Sequence, residues 1–422
     1  MIHFDNARLI DPETGHDGPG SLTVENGLIV ARDEAAPEGA ELIDCQGRAL
    51  APGLVDWGVK IGEPGERHKE SYRSAGLAAA AGGVTTMVVR PDTTPPIDSP
   101  ESLDFVAKRA LDAGVHVRHM AALTKGREGR EMVEIGFLAD AGAVAFTDGV
   151  RVVSDSKLMA RCLTYARGAA PGGALIVGHP QDPGLSRGAA ATNGKFASLY
   201  GIPGVSALAE VMGLERDLNL VRMSGARYHA DQITTAAALE PLRRARAEGL
   251  AVTAGISIHH LTLNEFDVGD YRTFFRFTPP LRAEDDRAAM VQAVAEGEID
   301  VIASFHTPQD EESKRLPFAE AAPGAVGLQT LLPAAMRLYH QGGVGLAQLW
   351  RAMSLNPARI LGLEAGRLAA GAPADLVLFD PDAPFVLDRF ALLSKSKNTP
   401  FDGARMQGRV IGTWVGDARV FG

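Results

Sequence analysis

At 422 residues the chain exceeds one ordinary domain, and a 45% apolar fraction without any eighteen-residue apolar run describes a globular protein, not a membrane-spanning one. A formal net charge of −10 with no basic run argues against nucleic-acid and anionic-membrane binding. Cys45 and Cys162 lie far apart without any CxxC, and the opening Met-Ile-His-Phe has neither a basic nor an apolar leader region, so a soluble, cytoplasmic protein with two buried thiols is expected.

The first fifty residues read as β structure. Ile2 to Ile10 and Ser21 to Val30 alternate apolar and polar residues, with Asp11-Pro12, Gly15 and Gly18-Pro19-Gly20 as turns. The rhythm then changes to helix followed by buried strand. Lys69 to Ala81 is Ala-rich and helical, and Gly82-Gly83 stops it before the strand Val84 to Val89. Similar pairs follow: Asp98 to Ala113 with Val115 to Ala121, Lys157 to Ala166 with Ala174 to Gly178, Thr234 to Glu248 with Leu250 to Gly255, and Arg287 to Glu296 with Ile299 to Ser304. Ala374 to Phe379 and Arg409 to Val415 are again strand-like, separated by Asp380-Pro381-Asp382.

Repeated αβ units with apolar strands predict a parallel sheet covered by helices. About eight units favour an α/β fold of the (β/α)8 barrel type, and no Gly-rich phosphate fingerprint supports an open dinucleotide-binding sheet. The predicted organisation is a β-sandwich built from both chain ends, residues 1–52 and 363–422, around a barrel spanning residues 53–362. Chemistry in such a barrel sits at the C-terminal ends of the strands. The stretch Gln309-Asp-Glu-Glu-Ser-Lys-Arg315 reads as a solvated loop near that face, with a partner-contact surface as the alternative.

Several landmarks in order carry a resemblance. They include Arg8-Leu-Ile-Asp-Pro12, Ala51-Pro-Gly-Leu-Val-Asp56, Glu63-Pro-Gly65, Gly82-Gly-Val-Thr-Thr86, His259-His-Leu261, Pro279-Pro-Leu-Arg282, Asn356-Pro-Ala358 and Leu393-Ser-Lys-Ser-Lys-Asn398. Over nearly its whole length the chain resembles dihydroorotases of the bacterial class I type, within the amidohydrolase superfamily. That resemblance implies interconversion of carbamoyl aspartate and dihydroorotate in pyrimidine synthesis. In the family, zinc supplies a hydroxide and polarises the carbonyl while an aspartate moves the proton.

Position by position, the residues that carry this chemistry are missing. Where the family has His-x-His on the first barrel strand, this chain has Gly58 and Lys60; the arginine two residues further is Gly62. The asparagine of a Met-Pro-Asn-Thr turn is Asp92 in Arg90-Pro-Asp-Thr93, whose added negative charge is expected to repel an anionic substrate. Asp148, in Thr147-Asp-Gly149, stands at or within one residue of a ligand place, and His179 retains another. A third ligand histidine is Gln232, a substrate-binding asparagine is Thr278, and the catalytic aspartate is Phe305. A zinc site needs about three protein ligands and an open position; at most Asp148 and His179 remain.

No metal or other cofactor is therefore expected, and Lys60 is expected to pair with Asp148 as a replacement for the lost cation. The resemblance to noncatalytic members of this family implies a structural or activating partner of aspartate carbamoyltransferase in a hetero-oligomer. Two other readings stay open. One is a divergent amidohydrolase acting on a cyclic amide, with zinc on Asp148, His179 and either His229 or His306. The other is a sensor that binds a small molecule in the emptied pocket.

Overall fold

A computed structural model describes residues 1–422. Its centre is a parallel barrel. Strands Leu54–Val59, Val84–Val89 and His116–His119 form one parallel set, and Ile176–Gly178, Tyr228–Ala230, Val252–Ser257 and Val301–Ala303 form another. Phe146 bridges both sets, pairing in parallel with Ala121 on one side and Ile176 on the other, and so supplies the missing stave. Closure comes where Lys60 N–H donates to His306 O at 2.8 Å and Asp56 accepts from Ser304 N at 2.7 Å.

The helix Tyr72–Ala81 begins three residues later than the sequence pattern predicts, because Ser71 caps it and forms a reciprocal box with Ser74. Gly82 and Gly83 end it as expected, Gly83 with φ of +76°. The longest helix, Leu208–Ser224, is absent from the sequence reading. Its buried face carries Glu210 and Asp217 between Leu214, Leu218 and Val221, and those acids break the apolar period by which a helix is recognised.

Strands from both chain ends form a single mixed sheet. The first strand, Ile2–Asp11, runs antiparallel to His16–Glu25 and parallel to Glu41–Asp44 and Ala49–Pro52. Ala49–Pro52 then pairs with Leu376–Val386, and that strand with Arg405–Val415 and Ala418–Phe421 in turn. The sheet folds back on itself, since Ile29 N donates to Ala372 O and Ala374 N to Gly27 O. Phe4, Leu9, Leu22 and Trp414 fill the inside of the fold.

Two turns differ from expectation. The alternating stretch Ser21 to Val30 is a hairpin, its strands His16–Glu25 and Leu28–Arg32 joined by Asn26 and Gly27, both with positive φ. Asp380-Pro381-Asp382 is not a connection but an irregularity within the long strand Leu376–Val386, with Asp380 accepting from Asp382 N and Ala383 N.

Candidate functional site

The barrel mouth is where the sequence places the family's chemistry, and its first strand is distorted there. The pairing register shifts between Trp57 and Val59, and Gly58 sits at φ +74°. A Cβ at Gly58 would lie 2.9 Å from two ring carbons of Phe305, which is itself buried at φ +47°. Phe305 joins Trp57, Val88, Met120 and Val301 in the apolar barrel interior. The ring occupies the space a side chain at residue 58 would need. Gly62 is closed in a similar way, since a Cβ there would stand 2.2 Å from Glu66 O. An arginine fits that turn only if the backbone moves.

The expected Lys60–Asp148 pair does not form. Lys60 Nζ donates to Glu66 Oε2 at 3.0 Å, and Glu66 also receives Lys69. Burial raises the Glu66 pKa, but Lys69 and Lys60 outweigh it and hold the carboxylate below its usual range. Asp148 is turned toward the neighbouring loop, accepting from Leu123 N and Thr124 N at 3.0 Å each and from the Thr124 hydroxyl at 2.5 Å. Held by these backbone and hydroxyl donors, the carboxylate secures the loop that follows the third strand.

The cation at the centre of the mouth is one that sequence reasoning passed over. Arg90, only 5% exposed, donates from Nη2 to Thr307 Oγ1 at 3.2 Å and lies 3.3 Å from Asp92 Oδ2. Burial raises the Asp92 pKa, yet Arg90 first, then Lys60 and Arg127, hold it below the usual carboxylate range. Asp92 is therefore a paired anion and not the unbalanced negative charge expected from the sequence. The signal was present in Val-Val89-Arg90, a charged residue directly after a strand that is buried throughout.

A second buried pair was also missed. Glu210, fully buried on the long helix, accepts from Thr234 N at 2.8 Å, Thr235 N at 2.9 Å and both threonine hydroxyls, and Arg282 Nη2 lies 3.2 Å away. This network fixes the loop that carries Gln232. Gln309-Asp-Glu-Glu-Ser-Lys-Arg315 is likewise not a free solvated loop. It contains a short helix, Glu311–Lys314, and buried Lys314 donates to Ala322 O at 2.6 Å and Thr273 O at 3.2 Å.

The histidines scatter around this centre without converging. His179 is buried with Nδ1 unpartnered. His229 bonds Thr253 Oγ1 at 2.8 Å and packs at a tilt against Trp57. His260 Nε2 faces Pro279 O at 3.1 Å. His306 Nδ1 accepts from Gly327 N at 3.1 Å, which leaves the ring hydrogen on Nε2, 3.4 Å from buried Glu70. No three His, Cys, Asp or Glu side chains are grouped so that they could hold a metal ion. A zinc ion of the kind this fold implies does not fit the residues present, and the set Asp148, His179 and His229 or His306 does not form one site.

These groups set a direction for stability against pH. Burial pushes His119, His179 and His260 down to about 4 and His229 and His259 down to about 3. Unfolded histidines titrate near 6.5, so below that pH the unfolded chain takes up protons the folded chain refuses, and stability falls as pH falls. Asp56 and Asp231, pushed up by burial to about 6 and about 7, act in the opposite sense. Burial also raises Asp148, Asp217, Glu265, Asp286 and Asp300, though less than these two. All five histidines, by contrast, change charge in the unfolded chain near pH 6.5, so the melting temperature is expected to rise from pH 5 to pH 6.5. A flat or falling profile over that window would contradict neutral buried histidines.

Lys60, Arg90, Asp92, Gln232, His259, Thr278 and Phe305 all border one cavity of about 200 Å³. So the structure brings together most of the predicted site residues, while leaving Asp148 and His179 at a separate, much smaller void. A model for dihydro-orotase-like proteins matches residues 47–238, and one for the amidohydrolase family matches residues 210–420. A dihydroorotase of Wolbachia sp. subsp. Drosophila simulans is 38% identical over 425 residues, covering 100% of this chain and 95% of that protein. The chain belongs to the dihydroorotase family.

Other members are equally similar along their length. A dihydroorotase-like protein of Pseudomonas aeruginosa is 39% identical over 418 residues, with 98% of each chain covered. Among solved structures, an L-hydantoinase (dihydropyrimidinase) from Arthrobacter aurescens matches with a TM-score of 0.88 at 23% identity, over 99% of this chain and 95% of that one. That likeness speaks to the fold, the amidohydrolase barrel with its attached sheet. No helix in it is long and apolar enough to cross a membrane.

Proposed function

We propose that this dihydroorotase-family chain is noncatalytic and serves as a structural or activating partner of aspartate carbamoyltransferase in pyrimidine synthesis. The observation that carries the noncatalytic part is the Phe305 ring packed on Gly58, where the family pattern has its acid and a ligand histidine. An apolar ring neither moves a proton nor binds a metal. The partner part rests on the resemblance to noncatalytic homologues and on a full-length fold kept without its chemistry, which leaves the surfaces to carry function.

A divergent metal-dependent amidohydrolase acting on a cyclic amide is the second reading. It is favoured by relatives that bear the name dihydroorotase over their whole length. Elemental analysis of protein purified from zinc-supplemented medium without chelator separates the two. The noncatalytic reading expects substoichiometric metal, no dihydroorotase turnover and a melting temperature unmoved by chelator. One zinc per chain with turnover would establish the second reading instead. Light scattering of the chain mixed with the aspartate carbamoyltransferase of the same organism tests the partnership. A complex heavier than either component supports it; two separate components with unchanged transferase activity would reject it.

A further inference from the structure

We propose that an apolar slot beside the last strands is the docking site for a second copy of this chain, which presents its acidic strand edge around Leu42. The inference goes beyond the partner role and holds with or without it. Between the end of helix Tyr72–Ala81 and strands Leu376–Val386 and Arg405–Val415 lies a cavity of about 390 Å³, walled by Ala81, Phe385, Leu387, Leu392, Val410 and Phe421. It shares no lining residue with the barrel mouth. The apolar surface continues past it. Val386 on the rim is 63% exposed and Phe390 just beyond is 65% exposed, with Leu393 and Leu77, the latter one helical turn before Ala81, exposed as well. Contiguous exposed apolar surface of this kind marks a site of association. A small molecule filling the slot leaves these side chains in water, whereas a protein surface covers both.

Charge selects the partner. Arg409, on the slot wall, lies over the Phe385 ring at 5.5 Å from its centre, and Arg405 stands opposite Val386 in the strand register. Both guanidiniums are exposed, and neither has a carboxylate partner within the chain. Asp388, the other charged residue of the wall, is engaged by Phe390 N. A basic rim on a chain of net charge −10 calls for an occupant that is both acidic and apolar.

The chain itself carries such a surface. Its first 48 residues hold ten acidic side chains and three arginines, which accounts for seven of the ten surplus negative charges. There the strand Glu41–Asp44 pairs only with Ile2–Asp11 and leaves its other edge open. Leu42 on this strand is 65% exposed, next to exposed Met1, whose carbonyl accepts from Glu41 N. Exposed Glu38, Glu41 and Asp44 flank it; Asp44 meets only Asn6 and Gln46, and no cation pairs with the two glutamates. Two such edges repel each other, whereas edge and slot match in polarity and in charge. Each copy has one of each, so a closed pair makes the contact twice.

Sedimentation equilibrium of the full chain over a range of concentration and salt tests the pairing. We expect a mass of two or more chains at low salt that falls toward one as salt screens the charges. Leu42→Lys spoils the edge, and Arg405→Glu with Arg409→Glu spoils the slot; each is expected to weaken association about tenfold or more. All three side chains are exposed, so the melting temperature stays where it was. Mixing the two variants returns a mass of two chains, because the intact slot of one meets the intact edge of the other, and a folding defect cannot produce that rescue. A parent that stays monomeric at its highest soluble concentration, equal association in parent and both variants, or a mixture no heavier than its components overturns the proposal. Light scattering with the transferase on the same samples keeps the two readings apart. A monomeric parent that still binds the transferase removes only this proposal, and transferase binding lost in the slot variant alone gives the slot to that partner and overturns self-pairing.

Discussion

Gly58→His lowers the melting temperature by roughly 5 to 10 °C, and Phe305→Ala in the same chain recovers part of the loss. An L side chain at φ +74° costs about 1 to 2 kcal/mol. A Cβ 2.9 Å from the Phe305 ring adds overpacking of about 1 to 3 kcal/mol. Each kcal/mol corresponds to about 2 to 4 °C in domains of 150 to 250 residues. Removing the ring relieves the second cost and not the first. Thermal denaturation of Gly58→His, Phe305→Ala and the double variant measures the coupling, and strictly additive shifts would show that the two residues do not contest one space. Restoring a histidine pair at residues 58 and 60 is thus expected to give a less stable chain without a metal site.

Arg282→Met destabilises the chain by about 3 to 5 kcal/mol, because it strands a buried carboxylate. Glu210 is fully buried and Arg282 is 2% exposed, so water cannot replace either partner. Glu210→Ala is expected to be at least as damaging. It deprives Thr234 N and Thr235 N of their acceptor along with the arginine. Replacing both residues, as Glu210→Leu with Arg282→Met, removes the stranded charge and is expected to cost less than the sum of the single changes. Urea unfolding of the three variants decides it, and a double variant as unstable as the sum would contradict a mutually compensating pair.

How much of this was legible in the sequence depends on whether a signal is local. The stop at Gly82-Gly83 and the buried strand after it are read from consecutive residues, and the structure places them as read; Gly58 and Lys60 stood out in the same local way. The stave at Phe146 is a single bridging residue and leaves no periodic trace. Asn26-Gly27 was a usable turn signal, masked by the alternation that continues on either side of it. The partner of Lys60 could not be read, because choosing Glu66 over Asp148 depends on how two loops fold over the mouth. Arg90 was overlooked for a different reason. Comparison with a family pattern draws attention to residues that are lost, whereas Arg90 is a gain at a place the pattern fills with an apolar residue.

The mixed sheet also constrains the time course of synthesis. Ala49–Pro52 pairs with Leu376–Val386, more than three hundred residues downstream. At about 5 to 20 residues per second on a ribosome, that partner emerges roughly a quarter of a minute to a minute later. Through this interval the amino-terminal strands have an unfilled edge, and the apolar side of Phe4, Leu9 and Leu22 waits for Trp414. The whole barrel lies between the two halves and is made first, so the nascent chain must carry an open, sticky edge until its last strands arrive.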